Sequence, residues 1–255
     1  MSGILSELYP FLGIYNFRDL GGIPIGTNST TRLSKLYRSD SFDDATEEDI
    51  ELLFNVIGVR RIIDLRASDE VASIAHSISV PIAGIEYCHR PMDSGQIQVT
   101  ERIEDILPSR YMSYLEVCTE SLVAAIQDLA STPHIPTVIH CRVGKDRTGV
   151  LVALVLSLIG VGADLVSADY AKTALAMPKI RIQLAGSSFY AKNLGNLPDE
   201  IYSARADTML RFLALLDEKY GSPLEWALAN GIHGDIISKL IANFTEDLVS
   251  KEISN

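Results

Sequence analysis

The chain carries, a little past its midpoint, the stretch Pro136-Thr137-Val138-Ile139-His140-Cys141-Arg142-Val143-Gly144-Lys145-Asp146-Arg147-Thr148-Gly149. Its first four residues are apolar or β-branched, which predicts a buried strand. Residues Thr148 to Ile159 are apolar on every side of a helical repeat, as expected for a helix enclosed within a domain. The residues between are therefore predicted to form a loop at a strand-to-helix turn.

A loop in this position is suited to binding an anion. Its backbone N–H groups and the positive end of the helix dipole converge on one point, which favours a dianion such as phosphate. The planar guanidinium of Arg147 can donate to two phosphoryl oxygens at once, a geometry that lysine does not offer. We therefore predict that phosphate is bound by the loop residues Arg142, Val143, Gly144, Lys145, Asp146 and Arg147.

Cys141 lies six residues before Arg147, at the floor of this predicted anion site. A helix N-terminus and a guanidinium both favour the ionised form of a thiol, so we expect a thiolate at neutral pH. Such a thiolate attacks phosphorus directly and forms a cysteinyl-phosphate, which water then hydrolyses. The hydroxyl of Thr148 is expected to donate to the sulfur and to stabilise it as attacking group and as leaving group.

Two other interpretations of the loop were open on residue types alone. A lone cysteine at a strand end is usually an inert core residue, but the presence of Lys145, Arg147 and Thr148 within the next seven positions favours a reactive one. A nucleotide phosphate loop is excluded because Asp146 stands where that loop needs serine or threonine for magnesium.

The loop resembles the signature of the cysteine-dependent protein tyrosine and dual-specificity phosphatases. Its Gly-Lys-Asp-Arg-Thr-Gly part is similar to that of an atypical bacterial and fungal branch, whose members include secreted virulence phosphatases acting on phosphotyrosine and phosphoinositides. Further similarity lies in Asn16–Gly22 (Asn-Phe-Arg-Asp-Leu-Gly-Gly), Leu36–Ser39, Ile63–Arg66, Ala206–Met209 and Tyr220–Ser222. The resemblance covers nearly the whole chain and implies a cysteine-dependent phosphatase fold.

Length and composition predict one domain, residues 1–255. With 47% hydrophobic residues the chain can bury one substantial core, and no linker rich in proline, glycine or serine divides it. Residues Met1 to Leu12 lack the basic start of a signal peptide, and the apolar run Val150 to Ile159 is too short to span a bilayer. The three cysteines form no even disulfide framework, and a reactive thiolate survives best in a reducing compartment. We therefore expect a cytoplasmic protein.

The net charge of −11 argues against nucleic-acid partners and against stable association with anionic membranes, since both favour a broad basic face. Arg142, Lys145 and Arg147 nevertheless concentrate three positive charges within six residues. We expect a local positive funnel in an acidic body, which suits a small or well-defined phosphate ester.

The apolar pattern predicts strands that alternate with helices. Strands are predicted at Lys35–Arg38, Val59–Leu65, Gly84–Arg90 and Pro136–Ile139. Helices are predicted at Asp44–Val56, Ser68–Ala75, Thr100–Leu129 with a break allowed at Pro108, Thr148–Ile159, Ala163–Ala176, Lys179–Asn193 and Pro198–Lys219, and around Trp226 and Ile236–Phe244. This order implies an α/β fold with a central, mostly parallel sheet flanked by helices and a helical C-terminal half. Ligands of such sheets bind beyond the carboxyl ends of the strands, where Cys141 lies.

The helical segment of about 163–198 has two interpretations. Members of the resembled family often place helices from this region over the active site, which implies a helical lid insertion. An ordinary pair of peripheral helices fits the sequence as well.

Three aspartates compete for the role of general acid toward the leaving oxygen. Asp146 lies inside the loop, and the resembled branch has been argued to use its loop aspartate in this way. Asp93 follows a strand, in the kind of loop where other tyrosine phosphatases keep their acid. Asp64 ranks last, because it ends a strand just before Arg66 and its alternative role is to brace that arginine or the loop.

Three further residues are predicted to support the site. His140 has no second histidine at metal-ligand spacing, so we expect its ring to order the loop by hydrogen bonding to the backbone. Arg18 and Asp19 precede Gly21-Gly22 and either buttress the site as an ion pair or lie on the surface of a tight turn.

Together these features predict a phosphomonoester hydrolase that uses no metal and no cofactor. By resemblance the leading substrate is phosphotyrosine in a phosphorylated protein. A phosphoinositide or another small phosphate ester is the alternative, because Lys145 adds charge for a second phosphate. Sulfur transfer by a rhodanese-like loop and a silent phosphate-binding module are less favoured rivals, since Arg147-Thr148-Gly149 continues into the helix and the chemical residues are intact.

Overall fold

The computed structural model describes residues 9–73, 83–93, 102–186 and 198–248. Two sheets and the helices around them make up this part of the chain. The strands are β1 Arg18–Asp19, β2 Pro24–Ile25, β3 Ser29–Thr31, β4 Leu36–Ser39, β5 Arg61–Asp64, β6 Glu86–His89, β7 Thr137–His140 and β8 Thr245–Asp247. The predictions made for residues 1–8, 74–75, 100–101 and 187–197 fall outside the described residues.

The central sheet has five strands in the order β1-β4-β7-β5-β6. Strands β4, β7, β5 and β6 are parallel to one another, and the short edge strand β1 is antiparallel to β4. Ser39 of β4 and Asp64 of β5 both lie opposite His140, the last residue of β7. The carboxyl ends of three neighbouring strands therefore meet where the loop begins. The predicted α/β fold with a mostly parallel sheet is confirmed.

Ten α-helices are present in the described residues. They are α1 Glu47–Glu51, α2 Ser68–Ala72, α3 Ile103–Val117, α4 Thr119–Ser131, α5 Asp146–Leu158, α6 Ala163–Ala171, α7 Met177–Gly186, α8 Ala206–Tyr220, α9 Pro223–Ala229 and α10 Gly234–Phe244. A π-helical turn, Leu52–Val56, continues α1, and 3₁₀ turns occupy Lys172–Leu175 and Asp199–Tyr202. None of these helices is both long and apolar enough to cross a membrane.

Strand alternation separates the core into two layers. Ile139 and Ile63 pack into the larger cluster with helices α3, α4, α5 and the C-terminal helices. Their neighbours Val138 and Ile62 face the other side of the sheet and pack with Phe17 and the residues around α1. Because successive side chains of a strand point to opposite faces, one apolar run supplies both layers.

A second, smaller sheet joins the ends of the described chain. It contains β2, β3 and β8 in that order, all antiparallel, with Thr30 opposite Glu246. Sequence patterns did not predict this sheet, because its strands have only two or three residues and show no apolar alternation.

The break that the sequence allowed at Pro108 does not occur there: α3 runs through Pro108 to Val117, and the helical segment divides at Cys118 instead. The missing N–H of a proline removes one bond to the residue four positions earlier. Pro108 stands near the start of α3, so only a first-turn carbonyl, that of Glu104, loses its partner, and the ring itself is buried.

The predicted helix Pro198–Lys219 is divided into the Asp199–Tyr202 turn and helix α8. Ser203 and Arg205 between them have extended backbone. The carbonyls of Ile201 and Ser203 accept hydrogen bonds from Lys145 Nζ. In a continuous helix these carbonyls would accept backbone hydrogen bonds instead. The contact with Lys145 therefore requires that the helix be interrupted here.

Candidate active site

The loop of residues 141–145 joins β7 to α5, as the sequence predicted. Cys141 directly follows β7 and is buried, with 2% of its surface exposed. Helix α5 begins at Asp146 after Lys145, and no described side chain caps this end. The uncapped first-turn amides and the thiol therefore share one end of the same helix, where the dipole favours negative charge.

Gly144 is required by the close approach of the loop to β4. Its φ is +70°, a left-handed conformation that other residues rarely adopt. A Cβ at this position would lie 2.2 Å from the carbonyl oxygen of Ser39 and 2.8 Å from Asn16 Nδ2. The loop therefore reaches this position only with glycine.

Three polar contacts hold the loop carbonyls on its outer side. Asn16 Nδ2 donates to the carbonyls of Val143 (2.9 Å) and Gly144 (3.2 Å). Arg38 Nη2 donates to the same Gly144 carbonyl at 2.6 Å. Because the C=O and N–H of a trans peptide point in opposite directions, carbonyls held outward turn the following amides inward. The Asn-Phe-Arg-Asp-Leu-Gly-Gly stretch thus contributes to the loop's shape.

Asp169 of α6 links the two arginines that support this arrangement. Arg18 Nε lies 2.8 Å from Asp169 Oδ1, and Arg38 Nη1 lies 2.8 Å from Asp169 Oδ2. Burial alone would raise the pKa of Asp169, but the two guanidinium groups outweigh it and hold that pKa well below its usual range. Arg18 Nη1 also donates to Asn16 Oδ1 at 2.6 Å, which orients the amide that binds the loop.

Of the two interpretations offered for Arg18 and Asp19, the structure supports the turn for Asp19, and the partner of Arg18 is Asp169. Asp19 accepts from the backbone N–H groups of Gly21 and Ser34, both at 2.8 Å, so it stabilises a turn. The two residues form strand β1, and adjacent side chains of a strand point to opposite faces. Arg18 therefore supports the loop while Asp19 does not reach it.

Arg147 is bound by a carboxylate that the sequence analysis did not identify. Its Nη2 donates to Glu70 Oε1 at 2.9 Å, and its Nη1 donates to Glu70 Oε2. Glu70 lies on α2 and is buried. Burial alone would lower the pKa of Arg147, but the Glu70 carboxylate outweighs it and raises that pKa. The guanidinium is therefore a permanent cation in a fixed orientation.

Arg142 points away from the loop interior. Its Nη1 donates to Ser41 Oγ at 2.8 Å and to Asp43 Oδ2 at 2.5 Å. The other oxygen of Asp43 accepts from Arg66 Nη1 at 2.6 Å. Only the backbone of Arg142 is thus placed to serve the predicted phosphate site, and Asp43 is a second carboxylate that sequence reasoning missed.

The side chain of Lys145, whose charge the sequence analysis offered to a second phosphate, is held by the protein itself. Its side chain is 3% exposed, and Nζ donates to the carbonyls of Ile201 and Ser203. The ammonium group also lies 3.4 Å from Asp146 Oδ1. A lysine held in this way fastens the loop to the turn before α8.

The sequence predicts a local positive funnel at the loop, but acidic side chains lie beside its cationic residues. Each cationic side chain of the loop has an acidic neighbour: Asp43 for Arg142, Asp146 for Lys145 and Glu70 for Arg147. The positive character of the site therefore comes chiefly from backbone amides, the helix end and the guanidinium of Arg147.

His140 and Asp64 lie at neighbouring strand ends behind the loop. His140 Nδ1 lies 3.2 Å from the carbonyl of Cys141, and its Nε2 lies 3.7 Å from Asp64 Oδ2. Burial lowers the pKa of His140, although the nearby Asp64 carboxylate opposes that shift. Burial would raise the pKa of Asp64, but neighbouring positive groups, with Arg66 bonded to both oxygens, hold it well below its usual range.

The two remaining aspartates differ in their surroundings. Asp146 is the first residue of α5, and its Oδ1 accepts from Tyr111 Oη at 2.7 Å. Asp93 follows β6 with an exposed side chain, and its carbonyl accepts from Cys118 Sγ at 3.5 Å. Asp146 thus directly follows the loop, at the start of α5, whereas Asp93 lies on a separate segment.

Thr148 Oγ1 is buried without a hydrogen-bond partner among the described residues. Burying a hydroxyl without a hydrogen-bond partner costs free energy, and the Thr148 hydroxyl therefore has a donor to offer to a group that enters the site. The predicted bond from Thr148 to the Cys141 sulfur is not among the contacts of the described residues.

Comparison with known proteins gives a family, a related protein and a similar solved structure. Residues 9–246 match the tyrosine phosphatase family. The chain is 26% identical to the triple specificity protein phosphatase PtpB of Mycobacterium tuberculosis, over 82% of this chain and 89% of that protein. It is also similar to the core catalytic domain of the PP-IP phosphatase SIW14 from S. cerevisiae, with 18% identity, a TM-score of 0.40, and coverage of 74% of this chain and 88% of that one.

The family match spans nearly all of the described chain, including the loop, the strand ends behind it and the helices that hold it. This chain therefore belongs to the tyrosine phosphatase family and is a cysteine-dependent phosphatase.

Proposed function

We propose that the protein hydrolyses phosphate monoesters in two steps, with Cys141 as nucleophile. The thiolate attacks phosphorus, the ester oxygen leaves, and water releases phosphate from the cysteinyl-phosphate. Arg147 and the loop amides bind the phosphoryl oxygens, while the buried hydroxyl of Thr148, which has no partner among the described residues, serves as a donor to the sulfur during the reaction. The observation that carries this proposal is the joint placement of Cys141, the α5 N-terminus and an oriented Arg147 around one loop.

We assign general acid function to Asp146, with Asp93 as the competing candidate. Asp64 is a poor candidate because a carboxyl held ionised by Arg66 has no proton to donate at neutral pH. Its contacts with Arg66 and with His140 fit the bracing role instead.

For the substrate we favour phosphotyrosine in proteins. The sequestered Lys145 removes the charge that would have favoured a second phosphate, so a single phosphoryl group fits the loop best. The similarity to a triple specificity protein phosphatase supports a protein substrate. A phosphoinositide or another small phosphate ester, hydrolysed by the same mechanism, is the second candidate.

Hydrolysis of p-nitrophenyl phosphate tests the chemistry. We expect Cys141→Ser to abolish turnover and Cys88→Ser, a matched change at a buried cysteine of β6, to preserve it. Mass measurement of rapidly quenched enzyme should find a phosphoryl adduct on Cys141. Full activity of Cys141→Ser would refute the proposal. The values of kcat/KM for phosphotyrosine peptides, phosphoserine peptides, inositol lipids and nucleotide monophosphates would then rank the substrates.

A further inference from the structure

One buried tyrosine bonds to the carboxyl of Asp146, and a second buried tyrosine bonds to the first. Tyr111 Oη lies 2.7 Å from Asp146 Oδ1 and 2.7 Å from Tyr170 Oη. Tyr111 belongs to α3 and Tyr170 to α6, and both are almost completely buried. Helices α3, α5 and α6 are thus linked by a hydrogen-bonded chain that runs from Tyr170 through Tyr111 to Asp146.

The direction of these hydrogen bonds follows from the protonation of the phenols. Burial, together with the nearby Asp146, raises the pKa of Tyr111 well above its usual value. Burial also raises the pKa of Tyr170. Both phenols keep their protons at neutral pH, and a carboxylate oxygen can only accept. Tyr170 therefore donates to Tyr111, and Tyr111 donates to Asp146 Oδ1.

This donor makes the two carboxyl oxygens of Asp146 unequal. Oδ1 accepts from Tyr111 and also lies 3.4 Å from Lys145 Nζ. Oδ2 makes no hydrogen bond with any other described residue. A proton taken up by the carboxyl is therefore favoured on Oδ2, since Oδ1 is engaged as an acceptor. The side chain keeps 27% of its surface exposed, so it remains open to proton exchange.

We propose that Tyr111 and Tyr170 are positioning residues that orient Asp146 and reserve its Oδ2 for proton transfer. This inference rests on the proposed function. In the first step the sulfur–phosphorus bond forms, the phosphorus–oxygen ester bond breaks, and Oδ2–H protonates the leaving oxygen. In the second step Oδ2 accepts a proton from the attacking water, the new phosphorus–oxygen bond forms, and the phosphorus–sulfur bond breaks to restore the thiolate.

The test compares esters that differ in their need for an acid. Phenyl phosphate has a poor leaving group and requires protonation, whereas 2,4-dinitrophenyl phosphate has a good one and does not. We expect Tyr111→Phe to lower kcat/KM for phenyl phosphate roughly ten- to hundredfold, the range for a lost hydrogen bond to a charged group. The value for dinitrophenyl phosphate should change by less than about threefold. Tyr170→Phe should show the same selectivity with a smaller loss.

Tyr114→Phe is the matched control, because Tyr114 is a buried tyrosine of the same helix whose hydroxyl accepts from Arg110 Nε at 3.0 Å. It should affect both esters equally or not at all. Thermal unfolding of each variant checks the fold, and Tyr170→Phe carries the test if Tyr111→Phe does not fold.

A double variant separates positioning from packing. In an Asp146→Asn background, Tyr111→Phe should cause no additional selective loss, because the group it serves is gone. Equal losses for both esters, or a selective loss that persists in that background, would overturn the inference. Either result leaves the proposed function intact as long as turnover still requires Cys141.

Discussion

Glu70 binds the guanidinium of Arg147 with both carboxylate oxygens, one to each terminal nitrogen. Glu70 Oε2 also accepts the backbone N–H of Ala67 at 2.7 Å, so the carboxylate is fixed to the first turn of α2. A guanidinium has five N–H donors, and two bonds to Glu70 leave others for a phosphoryl group. The orientation of the phosphate-binding arginine therefore depends on a helix more than 70 residues earlier in the chain.

We predict that Glu70→Gln lowers kcat/KM for p-nitrophenyl phosphate by roughly ten- to hundredfold, because a neutral amide loses one of the two charge-assisted bonds. Steady-state kinetics with Cys141 intact measure the effect. Glu120→Gln, at an exposed position of α4, is the control and should leave kcat/KM unchanged. An unaltered kcat/KM in Glu70→Gln would show that Arg147 is oriented without this pair.

We predict that Gly144→Ala destabilises the fold and impairs catalysis, because the added Cβ meets the Ser39 carbonyl and the residue must keep a positive φ. The free energy of unfolding should fall by at least about 1–3 kcal/mol, the range for a strained backbone position. Urea unfolding provides the measurement. Gly234→Ala, where a Cβ meets open space at the start of α10, should be neutral or slightly stabilising. Equal stability of the two variants would contradict the required close approach.

The strand, the loop and the following helix were predictable because their signals are local. The apolar residues before His140 and after Arg147 have the run lengths of a strand and a helix, and the cysteine and arginine lie within the same ten residues. The fold class followed from the alternation of such segments along the chain.

The carboxylates that orient the arginines were not predictable in the same way. Glu70, Asp43 and Asp169 lie 77, 99 and 131 residues from the arginines they bind in the loop or beside it. The chain has 33 acidic residues, and no local feature distinguishes these three. Sequence adjacency even pointed to Asp19 as the partner of Arg18, although strand geometry separates the two. Such pairings are set by the tertiary packing of the sheet and helices.

We predict that Asp169 stabilises the fold in a pH-dependent manner. Its folded-state pKa is held well below the unfolded value of about 4, so its contribution is complete above that value and is lost as pH falls further toward the folded pKa. Asp169→Asn should lower the free energy of unfolding at pH 7 by about 3–5 kcal/mol, since it leaves Arg18 and Arg38 buried with less compensation.

Urea unfolding of both proteins at pH 7 and at successively lower pH below 4 measures this dependence. The difference between wild type and Asp169→Asn should shrink on acidification. Asp164→Asn, at an exposed position of the same helix α6, should show no such pH dependence. A difference that stays constant down to acidic pH would argue against an ionised Asp169 as the source of the stability.

The last prediction separates the two candidates for general acid. Asp146 lies at the start of α5, directly after the loop, whereas Asp93 lies after β6, on a segment contacted by Cys118, which follows α3. Because protonation of the leaving oxygen matters most when that oxygen is basic, substitution of the true acid should cause a selective loss of kcat/KM with phenyl phosphate.

General acid catalysis typically contributes about 10²–10⁴-fold, so Asp146→Asn should lower kcat/KM for this ester by about that factor. Asp93→Asn should change it only a few-fold and without dependence on the leaving group. A selective loss in Asp93→Asn instead would transfer the role to that residue, and full activity of both variants would remove it from both.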